Sequence, residues 1–159
     1  MAKLTHTDPT GRARMVDVGD KPVTARRAVA CGEVRLRESS AFAALAENRL
    51  TKGDAIAVAR LAGIQAAKRT SDWIPLCHNV PLDQVEIDIE LDPDHLRAKV
   101  RAEARARWHT GVEMEALVAV TAACLALYDM VKGLDRHTTI TEIGLLEKEG
   151  GRSGRFHRD

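Results

Sequence analysis

The sequence predicts an α+β domain of the ferredoxin-like, split βαβ type, with a four-stranded antiparallel sheet and helices packed on one face. Three observations carry that prediction. A charged hairpin lies in the middle of the chain, strongly apolar helical stretches flank it, and one further alternating stretch stands towards each end, at 27–37 and 138–146. The order is therefore strand, helices, strand, strand, helix, strand.

The hairpin is the clearest element. Val85, Ile87, Ile89 and Leu91 alternate with Glu86, Asp88 and Glu90. Beyond a turn at 92–95, Leu96, Ala98, Val100 and Ala102 alternate with Arg97, Lys99 and Arg101. One strand thus shows an acidic outer face and its neighbour a basic one. Opposite charges facing each other across an antiparallel pair contribute roughly 0.2–1 kcal/mol each. In the first strand Ala28, Ala30, Gly32, Val34 and Leu36 share a face small enough for helices to approach closely.

Glu38 and Ser39 open a short helix that reaches about Asn48, with Phe42 and Leu45 inward. Asp54 is placed to cap a second helix running to about Lys68. Gly63 lies inside that helix, where glycine costs about 1 kcal/mol relative to alanine, so a close backbone neighbour is expected. Residues 70–82 hold Pro75 and Pro81 and read as a loop. Residues 111–132 form the longest helix, ending at Gly133. Its apolar residues occupy nearly every side, which implies burial on more than one face. The polar residues 1–14 read as a mobile arm, 15–148 as one ferredoxin-like domain and 149–159 as a Gly- and Arg-rich tail.

At 159 residues the chain suits one domain rather than two. Lys plus Arg is 24 against 23 Asp plus Glu, a balance that argues against a nucleic-acid partner but allows a local cluster of cations. The three cysteines, Cys31, Cys77 and Cys124, are widely spaced and include no CxxC pair, so neither a disulfide framework nor a zinc knuckle is indicated. The N-terminus lacks an apolar signal core, and no membrane partner is expected. A reducing cytoplasm is the expected location.

Four constellations could carry chemistry. Glu113 and Glu115 flank Met114 in the first turn of the longest helix. They either complement the helix dipole or, with free backbone N–H groups, hold a polar heterocycle. Asp129 and Lys132 share a face near the end of that helix, as an ordinary i,i+3 ion pair or as an acid/base centre. A lysine in such apolar surroundings is expected to have its charged form disfavoured. Leu76, Cys77 and His78 stand in a proline-bracketed loop, where His78 suits substrate hydrogen bonding better than metal ligation. Arg26, Arg27, Lys52, Lys68, Lys148 and Arg152 are candidate anion-binding cations, Arg152 within a glycine-rich stretch able to shape a backbone nest.

Taken together, these segments resemble the molybdenum cofactor biosynthesis protein C (MoaC) family. The matching blocks are LTH at 4–6, MVDV at 15–18, KGD at 52–54, ARLAGIQAAK at 59–68, IPLCH at 74–78, TGVEMEAL at 110–117, YDM at 128–130 with Lys132, and GGRSG at 150–154. The resemblance implies a cyclic pyranopterin monophosphate synthase activity on a cyclised dihydroguanosine triphosphate, with pyrophosphate released. It implies a ferredoxin-like fold and a homohexamer, a trimer of dimers, with sites where subunits meet. It implies Asp129 and Lys132 as the acid/base centre and Lys52 as a second proton donor or acceptor. It further implies substrate contacts from Leu76, Cys77, His78, Glu113, Met114 and Glu115, and triphosphate contacts from Arg26, Lys68, Lys148 and Arg152. No metal or other cofactor is required, and magnesium accompanying the pyrophosphate is compatible.

The chain departs from the family pattern at three places. Trp108-His109 stands where Gly-Lys is usual, which puts a phosphate contact there in doubt. Asn79 replaces a proline after the loop histidine, and Arg152 replaces a lysine. Two other readings remain open at this stage: a nucleotide-binding oligomer without catalysis, and a zinc hydrolase using Cys77 and His78.

Overall fold

The structure, a computed structural model, describes residues 10–152 and 154–158. The LTH block and most of the expected mobile arm lie outside the described residues. The elements follow the predicted order. They are β1 (Thr24–Arg35), α1 (Ser39–Ala46), α2 (Ala55–Ala67), α3 (Thr70–Trp73), β2 (Gln84–Asp92), β3 (Arg97–Trp108), α4 (Glu113–Val131), β4 (Thr139–Glu149) and β5 (Phe156–His157).

The sheet order is β2-β3-β1-β4-β5, and every pairing is antiparallel. Its first four strands have the ferredoxin-like arrangement that the sequence predicts. The fifth strand is a correction to the expected four. Only two residues long, it pairs Phe156 with Lys148 and His157 with Glu147, too briefly to leave a periodic signal. The one-turn helix α3 likewise interrupts the expected loop. Thr70 Oγ1 donates to the Ala67 carbonyl, and the Ile74 N–H donates to the Thr70 carbonyl.

The hairpin register sets Asp88 opposite Arg101, Glu90 opposite Lys99 and Asp92 opposite Arg97, as the charge alternation requires. Glu86 instead faces Glu103. Glu103 is buried and accepts from Arg27, which lies one strand over on β1 and also binds Glu147 at 2.6 Å. Arg27, a candidate for anion binding, is thereby committed to the ion pairs of the open sheet face. The hydrogen bond from Arg27 holds the Glu103 carboxyl down at about 2.

The other face carries the helices. Ala28, Ala30 and Val34 are fully buried there, and a side chain at Gly32 would meet Val120 and Cys124 of α4. Gly63 of α2 performs the same service between helices, since a Cβ there would lie 2.8 Å from the Ala119 carbonyl oxygen. α4 is long and apolar enough to span a membrane, yet it packs on the sheet beside α2 with Val120, Cys124, Leu127 and Val131 fully buried. The outer helix surface stays apolar: Val58, Leu61, Trp73 and Leu125 are exposed.

One buried carboxylate closes the frame. Asp135, just beyond α4, is 1% exposed and accepts from the backbone N–H groups of Arg37, Glu38 and His137. Burial pushes its carboxyl up, but those three hydrogen bonds outweigh burial and hold it below the usual range. The end of α4 is thus tied to the start of α1. Asp135→Asn, which turns an N–H towards those donors, is expected to lower unfolding free energy by roughly 2–4 kcal/mol at neutral pH. Because the folded-state pKa is depressed, that difference exists above the ordinary carboxylate range and shrinks as pH falls through the folded value. Urea titrations of both proteins at neutral and strongly acidic pH measure it.

Candidate active site

The site residues fall into two groups at opposite ends of α4. At the C-terminal end Asp129 collects two ammonium groups. Lys132 Nζ lies 2.7 Å from Asp129 Oδ1, and Lys52 Nζ lies 2.7 Å from Oδ2 and 2.6 Å from the Asp129 carbonyl oxygen. The Lys132 contact follows from helical spacing. The Lys52 contact does not, because Lys52 reaches it from the turn after α1, across 77 positions of sequence. Hydrogen bonds from Lys132 and then Lys52 bring the Asp129 carboxyl down to about 2.

Here one expectation is corrected. Lys132 was expected to have its charged form disfavoured by apolar neighbours, but its side chain is half exposed at the helix end. The hydrogen bond and charge of Asp129 raise its pKa instead. The apolar surface of α4 faces the sheet and α2, and it does not extend to this terminus.

At the N-terminal end of α4 a cavity of about 300 Å³ is lined by Leu76, Cys77, His78, Glu113, Met114 and Glu115, together with Val16, Val18, Lys21 and Thr110. All six substrate-contact candidates from the loop and the helix start are therefore in one place. Val112 at the N-cap offers no side-chain hydrogen bond to the start of α4, and the Glu115 carboxyl accepts from its own backbone N–H. Glu115 is 4% exposed and has no cation beside it. Burial first, and then the nearby charge of Glu113, push its carboxyl up to about 7. Burial and the charge of Glu115 also push the Cys77 thiol up. His78 Nε2 lies 2.7 Å from the Val16 carbonyl oxygen. A carbonyl can only accept, so Nε2 carries the proton and Nδ1 is the remaining ring nitrogen.

A second cavity, about 580 Å³, adjoins the first and shares Lys21, Thr110, Gly111 and Glu113 with it. Arg26, His109, Lys148, Gly150, Gly151 and Arg152 contribute to its walls. Arg26 donates from Nε to the Trp108 carbonyl at 3.2 Å and from Nη2 to the His109 carbonyl at 3.1 Å. Gly151, at φ 75°, leaves room for this guanidinium, which any β-carbon there would strike. Lys148 Nζ lies 3.4 Å from Glu113. Of the four cations that the resemblance assigns to the triphosphate, Lys68 alone does not reach this site. It is exposed at the end of α2 and lines neither cavity.

The geometry suits a polar ring system in the smaller cavity and anionic groups in the larger, cationic one. The MoaC family profile matches residues 15–151. This chain belongs to the MoaC family. The cyclic pyranopterin monophosphate synthase of Cereibacter sphaeroides is 53% identical over 156 residues, with 98% of each chain covered. That of Thermomicrobium roseum is 52% identical over 159 residues, covering 100% of this chain and 95% of its own. The Brucella ovis enzyme is 54% identical over 152 residues, at 96% and 92% coverage. A de novo designed protein with a ferredoxin fold superposes at a TM-score of 0.40 with 10% identity, over 79% of this chain and 89% of its own.

Sequence reasoning missed the wall built by residues 16–21. The MVDV block marks the segment as part of the family pattern, but no local periodicity says that it crosses to His78 and His109.

The raised pKa of Glu115 has a consequence for stability. Since the folded-state value exceeds the unfolded one, stability present at low pH is lost as pH rises from about 4.5 to about 7. Glu115→Gln is expected to abolish that slope and to be more stable than the parent above pH 7 by roughly 1–3 kcal/mol. Urea midpoints across pH 5–8 test this, and parallel curves for the two proteins would contradict it.

Proposed function

We propose that the chain catalyses the cyclic pyranopterin monophosphate synthase reaction of molybdenum cofactor biosynthesis. Its substrate would be (8S)-3',8-cyclo-7,8-dihydroguanosine 5'-triphosphate, and its products cyclic pyranopterin monophosphate and pyrophosphate. The observation that carries the reading is the meeting of Lys52, Asp129 and Lys132 in a chain whose relatives of that name match it nearly end to end. Opening and reclosing rings needs protons delivered and removed, and each positioned donor or acceptor gives about 10²–10⁴-fold. On this reading the carboxylate of Asp129 holds both ammonium groups in place. The ring system occupies the cavity of Leu76, Cys77, His78, Met114 and Glu115. Arg26, Lys148 and Arg152 hold the triphosphate and stabilise charge on the departing pyrophosphate. Lys68 joins this set only if a neighbouring subunit brings a cavity to it.

The acid/base trio and the ring cavity are separated by about 20 Å of helical rise along α4. A single small substrate does not span that gap within one chain. The reading therefore includes a homohexamer in which one subunit's trio completes another's cavity. Exposed Val58, Leu61, Trp73 and Leu125 supply apolar surface for such an assembly. Three unpaired cysteines fit a cytoplasmic location. Among the described residues no three His, Cys, Asp or Glu side chains cluster, so magnesium accompanying pyrophosphate would be held chiefly by phosphate oxygens.

Lys132→Ala and Lys52→Ala are each expected to form the parent oligomer and to make cyclic pyranopterin at least 100-fold more slowly. Full activity in both would sink the assigned roles. Mixed oligomers of Lys132→Ala and Glu113→Ala chains are expected to regain part of the activity that each lacks alone. Absence of any recovery after subunit exchange would show that the site is not shared.

A further inference from the structure

Residues 16–21 form a strap that is held at both ends by the site's own histidines. His78 Nε2–H donates to the Val16 carbonyl at 2.7 Å, and His109 Nδ1–H donates to the Lys21 carbonyl at 2.5 Å. The Lys21 N–H also donates to the Val18 carbonyl, closing a turn just before the second clasp. Three hydrogen bonds thus set where the strap runs, and the last of them sets the backbone of Lys21.

That position is the boundary between the two cavities. Lys21 lines both, along with Thr110, Gly111 and Glu113. Of these four it alone bears a positive charge. Among the described residues its ammonium pairs with no carboxylate, whereas Glu113 already has Lys148 at 3.4 Å. An exposed cation with a fixed backbone, open to solvent at the joint of a ring cavity and a cationic cavity, suits the anionic group that lies closest to the ring system.

We infer that Lys21 binds the phosphate attached to the sugar, and that His109 is the positioning residue that presents it. The inference rests on the proposed function, because it takes the smaller cavity as the ring site and the larger as the site of the terminal phosphates. It also gives the histidine at 109 a purpose. Its Nδ1–H is aimed at the Lys21 carbonyl, so the histidine locks the segment from which the cation projects.

Calorimetric titration of the purified oligomer with GMP, GTP and inorganic pyrophosphate tests the inference. Lys21→Met keeps the apolar stem and removes the charge. It is expected to weaken GMP and GTP at least tenfold and to leave pyrophosphate within twofold. His109→Phe, which loses the ring donor, is expected to weaken GMP by a smaller factor, and His109→Asn, whose amide N–H can replace Nδ1–H, to restore it. Circular dichroism and oligomer mass matching the parent keep a folding defect from imitating the result. Unchanged GMP and GTP binding by Lys21→Met overturns the inference and leaves the proposed function standing. So does a pyrophosphate loss as large as the GMP loss, since the ammonium would then serve the terminal phosphates. A parent protein that binds none of the three compounds overturns this inference, while the proposed function is judged by turnover of the cyclised nucleotide itself.

Discussion

Close packing of α4 against both the sheet and its neighbour α2 sets where every functional group can be. Gly32 beneath it and Gly63 beside it remove the β-carbons that would hold the neighbouring elements away. Ala116, Ala119 and Ala123 continue the same close approach along the helix. A rod wedged in this way presents its two ends at fixed places, Glu113 to Glu115 at one and Asp129 to Lys132 at the other. Interiors at this density do not deform smoothly, so a shift at one end is carried to the other.

Three carboxylates around that helix show how environment decides a charge. Asp129 is exposed and faces two lysines, so it remains ionised far below neutral pH. Asp135 is buried but satisfied by three backbone N–H groups, and it also remains ionised. Glu115 is buried with no cation and a like charge nearby, and it reaches about 7. Only the last of these has a carboxyl that can be neutral, and hence a hydrogen-bond donor, near physiological pH. It is also the one that lines a cavity of ring size.

The open sheet face is governed by a different rule. Its arginines and glutamates are mostly paired with one another, as Arg27 is with Glu103 and Glu147, and Arg97 with Asp92 and Glu33. Cations committed in this way are not available to an anionic ligand. Both Arg26 and Arg27 reach the wall of the cationic cavity, but Arg26 hydrogen-bonds only backbone carbonyls there and keeps its charge unpaired by a carboxylate among the described residues. Neighbours in sequence, these two arginines differ in their partners: Arg27 is neutralised by carboxylates and Arg26 is not.

The sequence by itself determined the ferredoxin-like order of elements, the hairpin and its charge pairing, the cap at Asp54 and the close approach at Gly63. All of these are written in local alternation, helical spacing or a single residue's backbone needs. It also determined the Asp129–Lys132 pair, since i,i+3 spacing on a helix is local. Tertiary structure alone decided that Lys52 joins them from 77 positions away, and that two histidines hold residues 16–21 against the ring cavity. It decided as well that Lys132 is solvated and raised rather than desolvated and lowered. The physical reason is the same in each case. A side chain's partners and its solvent depend on which distant segments the packed helix and sheet bring beside it, and no residue-to-residue period records that.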